Sequence, residues 1–214
     1  MYNYPKQCLN KKLVEYIEKN IFPQYDLNEE GHNINHIITV INHAFDIAKN
    51  YNIDINILYT VVAYHDIAHH IDKDKHEKIS ADIMYKDLNL STFFNKEELN
   101  TIKYAIEDHI ASSSKIPRSI YGKIVSAADK NLTLKDAILR TYFYTKKYSP
   151  EYNTEEKLFA RIYEHLSEKF GENGYAKIYI KDEKFDNFKK EIISLLKDKN
   201  NFYKVVKDTI SKYA

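Results

Sequence analysis

Cysteine, glycine, proline and tryptophan are all scarce in this chain. Its 214 residues include one Cys, four Gly, four Pro and no Trp. The lone Cys8 excludes an intramolecular disulfide framework and fits a reducing compartment. So few helix breakers favour long helices over strands joined by tight turns. No apolar run reaches the ~20 residues needed to cross a bilayer. The opening MYNYPKQCLNKK lacks the apolar core of a secretory signal. A cytoplasmic chain with no membrane partner is the expectation. An excess of either charge is missing too: 32 basic residues face 31 acidic ones, for a formal net charge of +1. That balance argues against general nucleic-acid binding, which usually shows a basic excess. It leaves room for a local basic pocket that holds a small anion. Tyr is abundant at 19 residues, but number alone assigns it no chemistry.

What is present is helical periodicity almost throughout. Leu13, Val14, Ile17 and Ile21 form one apolar stripe, ended near Pro23. Ile34, Ile37, Ile38, Ile41, Phe45 and Ala48 form a second. Asp54 is placed to cap a third helix carrying Ile57, Leu58, Val61 and Val62. Residues 72–75 form a polar loop, followed by a stripe of Ile79, Ile83, Met84 and Leu88. Asn95 with Glu98 makes a capping box for a helix bearing Leu99, Ile102 and Ile106. After the loop SSSKIPRS (112–119), a sixth helix starts at Ile120 and is expected to continue through Ile138. Asn153 and Glu156 are expected to cap the next, which Gly171 ends. Two more helical patterns cover 182–199 and 201–213. YAKIYI (175–180) alternates like a short strand but is kept as irregular. The fold class expected is all-α: a single helical bundle over residues 1–150, with a C-terminal helical extension over 151–214 packed on it. SPEYN (149–153) marks the boundary.

The chemical signal is histidine. Eight of the nine His fall between positions 32 and 109. The densest stretch is AYHDIAHHIDKDKHEKISA (63–81), in which His65 and Asp66 adjoin at the end of an apolar helix. Helical neighbours point ~100° apart, so both reach one ion only if it lies over the edge between them. An imidazole with a carboxylate suits a borderline divalent metal. The bland reading makes His65 a core histidine with Asp66 as its partner. Asp129, inside the apolar run IVSAADKN, calls for a charge partner or a metal, since a buried carboxylate needs one. His32 and His36, like His65 and His69, stand at i, i+4, a spacing used by zinc sites, but no HExxH glutamate accompanies either pair. His43 and His165 read as structural or solvated, and Cys8 as inert.

His36, then His65-Asp66, then Asp129 resembles the H…HD…D pattern of the HD-domain superfamily of metal-dependent phosphohydrolases. The likeness spans roughly residues 31–131. It includes GHNINH opening a helix, AYHDIAHH closing the next and GKIVSAAD on a later one. The resemblance implies that His36, His65, Asp66 and Asp129 ligate a divalent metal, with Mn, Fe, Zn and Mg all open. His76, in KHEKISADI, and His109, in EDHIASSSKIPRS, resemble the further ligands of two-metal members, with Asp66 bridging. The pattern of the HD-GYP phosphodiesterases is incomplete here: no paired HH and no GYP follow His109. A cyclic dinucleotide is therefore not the expected substrate.

The likeness implies hydrolysis of a nucleotide or small phosphorylated metabolite by a metal-activated water. Many HD hydrolases carry Arg three residues after the first ligand, where this chain has Thr39. Beyond Asp129 it reads Lys130-Asn131-Leu132 where LDA-like segments are common. Phosphate contacts must come from elsewhere, and Arg118 and Lys130 are the candidates, ahead of Lys73, Lys75 and Lys115. His69, His70 and Lys130 are the candidate catalytic groups, the histidines as proton donors. Two rival readings are an HD-fold di-iron oxygenase, which the six ligands permit, and a non-catalytic nucleotide- or metal-binding module. Oligomeric state is left open, a homo-oligomer included.

Overall fold

The computed structural model describes residues 2–110, 115–130 and 133–213. Among them are ten α-helices and no strand, as expected of an all-α chain. Residues 112–114 of the anticipated loop lie outside the described residues, as do Asn131 and Leu132. Contacts divide the chain into two compact units, residues 1–130 with 178–181, and residues 131–177 with 182–214. That division falls at Lys130, earlier than the SPEYN segment.

The first unit contains α1 (Lys11–Asn20), α2 (Ile34–Ala48), α3 (Ile55–Tyr64), α4 (His76–Lys86), α5 (Lys96–Glu107) and α6 (Ile120–Ala128). Short 3-10 turns cover Phe22–Leu27, Glu30–His32 and Leu88–Thr92. The apolar stripes meet in one core, where Leu13, Ile17, Ile37, Ile41, Leu58, Val61, Ile102, Ile106, Ile124 and Val125 are completely buried. Each such side chain contributes about 1.5–3 kcal/mol over its exposed state. The polar starts of the helices do what their sequence suggests. Asn33 accepts from Asn35 and His36 backbone N–H, Asp54 from Asn56, and Asn95 with Glu98 closes the capping box. No cap was read for α6, which Ser119 starts by accepting from Gly122 N–H. Gly122 permits close approach there, since a methyl at that position would lie 3.2 Å from both Asp108 Cβ and Pro117 Cβ.

The second unit contains α7 (Leu134–Tyr148), α8 (Glu155–Phe170), α9 (Glu183–Lys197) and α10 (Lys199–Ile210). The expected continuation of the sixth helix through Ile138 is corrected here. α6 ends at Ala128, and Thr133 caps a new helix through Asp136 N–H. α8 is capped by Thr154 rather than Asn153, its hydroxyl accepting from Lys157 N–H. Gly171 ends it as anticipated. α9 and α10 are separated by the single residue Asp198, whose carboxylate accepts from Asn200 and Asn201 N–H. Ile162, Leu166, Phe188, Ile192, Phe202 and Val206 fill this unit's interior. None of the described helices is long and apolar enough to cross a membrane.

Candidate metal centre

The site is built from helix ends. α3 stops at Tyr64, and residues 64–71 continue as three-residue turns, with bonds from Ile67 N–H to Tyr64 O, His69 N–H to Asp66 O and Ile71 N–H to Ala68 O. Leaving the helix at this point lets adjacent His65 and Asp66 face the same space. The last carbonyls of a helix lack intrahelical partners, and here they are met by side chains. His65 Nδ1 donates to Val62 O at 2.8 Å, and the buried Tyr25 hydroxyl donates to Ala63 O at 2.9 Å. Just past α5, His109 Nδ1 donates to Ile106 O at 2.6 Å; at the start of α4, His76 Nδ1 donates to Lys73 O at 2.8 Å. A carbonyl only accepts, so in these three rings Nδ1 carries the hydrogen. In the neutral ring Nε2 is then a bare lone pair, the form in which imidazole binds a metal.

These lone pairs converge. His36, His65, Asp66 and Asp129 offer ligand atoms that all lie within 4.8 Å of one another, and so do Asp66, His76 and His109. Asp66 serves both groups with different oxygens. Its Oδ2 lies 3.5 Å from His65 Nε2 and 3.7 Å from His36 Nε2, while Oδ1 lies 3.2 Å from His76 Nε2 and 3.4 Å from His109 Nε2. Asp129 Oδ1 lies 2.9 Å from His36 Nε2 and 3.7 Å from His65 Nε2. Despite these approaches, His36 Nε2 and His65 Nε2 are buried without an aligned hydrogen bond among the described residues. Asp66 and His65 are almost wholly buried. Buried carboxylates cost several kcal/mol unless paired, and buried lone pairs aimed at carboxylate oxygens gain nothing until a cation separates them. The donor set of imidazole nitrogens and carboxylate oxygens fits a divalent ion of the Mn, Fe or Zn type.

Electrostatics agree. Burial pushes Asp66 and Asp129 upward. The histidines around them outweigh it, His65 first for Asp66 and His36 first for Asp129, and hold both well below the usual carboxylate range. Burial pushes His65 down, but Asp66 and Asp129 overcome it and raise the imidazole to about 9. His76 is likewise raised against burial, by Asp66. Protons thus supply positive charge in the metal-free cluster, and a metal would take their place.

All six expected ligands therefore come together. The other expected site residues behave differently. His69 is buried beside the cluster, its ring stacked on His32 at 3.7 Å between centroids and 5.1 Å from His76. Its Nδ1 has no hydrogen-bond partner among the described residues. Burial, then the charge of His32, lowers it to about 4. His70 is exposed and turned to Asn28, whose Oδ1 it meets with both backbone N–H and Nδ1 at 3.0 Å. The Arg118 guanidinium is half-exposed and already bound to Glu107 and Asp108. Lys130 is buried, its Nζ donating to Ser126 O at 2.7 Å. Lys73 pairs with Glu29. His43 is buried with Nδ1 3.3 Å from Ala128 O, and Cys8 is exposed.

Two residues of the site were missed. His32 touches Asp66, and the only signal for it was its four-residue spacing from His36. Asn28 binds the Asp66 backbone, and nothing in its sequence surroundings marks it.

Helix ends that gather histidines and two aspartates into two groups sharing one carboxylate define an all-α domain with a candidate dinuclear metal centre. Residues 33–133 match the family model of the HD domain. The crystal structure of a predicted HD superfamily hydrolase from an uncultured Thermotogales bacterium shares the fold. It is 16% identical, with TM-score 0.52, over 98% of this chain and 94% of that one. No curated protein matches the chain.

Proposed function

We propose that this protein is a metal-dependent phosphohydrolase acting on a nucleotide or small phosphorylated metabolite. One observation carries the reading: Asp66 presents one oxygen to His36 and His65 and the other to His76 and His109. Such a carboxylate is placed to bridge two ions, and paired ions suit the displacement of one oxygen by another at phosphorus. The match of residues 33–133 to the HD domain and the hydrolase description of the Thermotogales protein support it.

Once bound, a divalent metal would supply a Lewis acid and a water of lowered pKa. The chain's residues do the rest. His36, His65, Asp66 and Asp129 would hold one ion; Asp66, His76 and His109 would hold the second. His69 is neutral above about pH 4, so at neutral pH it is not a charged acid. Its buried Nδ1, which has no partner among the described residues, makes it the candidate to hydrogen-bond a phosphoryl or leaving oxygen. Lys130, next to Asp129, and Arg118 remain the candidate cations for phosphate. Each must exchange a present partner for substrate, so their contribution is secondary to that of the histidines.

The shared carboxylate also favours one rival, a di-iron oxygenase, which needs the same two-ion arrangement. The test is metal analysis of protein purified without chelator, followed by phosphate release from a panel of phosphorylated metabolites with Mn, Fe, Zn or Mg added, with and without O₂. Phosphate release that needs metal and not O₂ is expected. Substrate-dependent O₂ consumption by a two-iron protein, with no phosphate released, would replace hydrolysis with oxygenation.

A further inference from the structure

The segment before α2 does more than connect helices. Asn28 uses its whole side chain on the turn that carries the HD pair. Its Nδ2 donates to Asp66 O at 2.9 Å and to His32 O at 3.0 Å, and its Oδ1 accepts from His70 N–H and His70 Nδ1, both at 3.0 Å. Two donors and two acceptor sites are the full capacity of an amide. One residue thereby ties the backbone of Asp66 to the backbone of His32. His32 completes the loop: its Nδ1 lies 2.7 Å from Asp66 Oδ2, the shortest contact of that carboxylate among the described residues. The ring is steadied from the other side by stacking on His69. Three residues upstream of Asn28, Tyr25 binds Ala63 O and anchors the same segment to the end of α3.

We propose that Asn28 and His32 form a strap that fixes the orientation of Asp66 and so sets the affinity of the metal centre; this rests on the metal-centre reading above. A carboxylate that serves two groups with different oxygens must not turn about its Cβ–Cγ bond. The rings that would ligate a metal cannot hold it by hydrogen bonds once an ion is bound, because an Nε2 that binds an ion has no hydrogen to donate. His32 can, because it places a hydrogen on Oδ2 and leaves that oxygen's other lone pair for an ion. Asn28 keeps His32 in register with Asp66 from the backbone side. Both are positioning residues, acting through Asp66 and not on the substrate.

Binding of Mn²⁺ to the metal-free full-length chain tests this, read as affinity and stoichiometry by calorimetry or by the Mn²⁺ resonance signal. His32→Ala and Asn28→Ala are expected to keep the wild-type number of ions and to bind them about 10- to 100-fold more weakly, the usual cost of losing a group that orients a ligand. His32→Asn, whose amide N–H stands near the Nδ1 position, is expected to restore most of the affinity. Asn28→Asp is expected to bind no better than Asn28→Ala, since it sets an oxygen against two carbonyls. Wild-type affinity in His32→Ala and Asn28→Ala would overturn the strap while leaving the metal centre intact. Loss of one ion per chain in His32→Ala would also overturn it, by making His32 a ligand. A wild-type chain that takes up neither Mn, Fe nor Zn would overturn the metal-centre reading itself, and the strap with it. If Asn28→Ala does not fold, the pair His32→Ala and His32→Asn decides, because neither alters the backbone bonds.

Discussion

His76 Nε2 and His109 Nε2 face each other across 3.2 Å, although each ring has committed its Nδ1 hydrogen to a backbone carbonyl. As neutral imidazoles, neither can donate to the other. Asp66 Oδ1, within 3.4 Å of both, only accepts. Either a proton or a metal ion must lie among the three. His76 begins α4 and His109 follows α5, the two helices that pack together in the first unit, so the pairing is built into the bundle.

Replacing His76 by Ala should remove one of two ions, lowering bound metal by about half, with about 10- to 100-fold loss of turnover. Elemental analysis alongside a turnover assay checks it. Full metal content and turnover in both His76→Ala and His109→Ala would leave a one-ion site and remove the oxygenase alternative.

Asp66→Asn keeps the shape of the side chain and removes its charge. It should abolish loading of both groups, because the remaining imidazoles bind Mn or Fe more weakly without the carboxylate. The helical circular dichroism signal should persist, since α3 is held by core contacts. Metal content equal to wild type would refute the bridging role.

The pH dependence of stability should differ between the metal-free and loaded forms. In the metal-free chain His65 is raised from 6.5 to about 9, Asp66 and Asp129 overcoming the opposing effect of burial. A raised folded-state pKa contributes stability that is complete below pH 6.5 and lost as pH climbs through about 9. The urea midpoint of the chelated protein should fall across that window. The metal-loaded midpoint should not, because the ion replaces the proton. A flat profile for the chelated protein would contradict the charge assignment of His65.

His69→Ala should preserve metal stoichiometry and reduce turnover, by up to about 10²-fold if one hydrogen bond to a developing charge is lost. Parallel metal analysis and single-turnover kinetics separate the two effects. Unchanged turnover would leave His69 as packing for His32.

The sequence by itself determined the all-helical class, most of the helices and the set of candidate metal ligands. Apolar residues at helical spacing can bury only one face of a helix. Ile37 and Ile41 of α2, like Ile102 and Ile106 of α5, are accordingly in the core. Asn95 with Glu98 started α5 where that pair predicts. His36, His65, Asp66, His76, His109 and Asp129 were legible as candidate ligands because imidazole and carboxylate are metal-binding chemistry and their order resembles a known pattern. The tertiary structure alone decided what the neighbours of those ligands do. His69 and His70 are adjacent and alike in sequence, yet one is stacked on His32 beside the cluster and the other is bound to Asn28 in solvent. Which way each points depends on the three-residue turns after Tyr64, where the Tyr25 hydroxyl meets Ala63 O at the end of α3. Arg118, a candidate phosphate contact, is paired with Glu107 and Asp108, since a charge goes to whatever opposite charge the packing brings near. Asn28 and His32 stand 38 and 34 residues before Asp66. Hydrogen bonds across such separations follow from how the segment before α2 lies over the end of α3, which residue spacing does not encode.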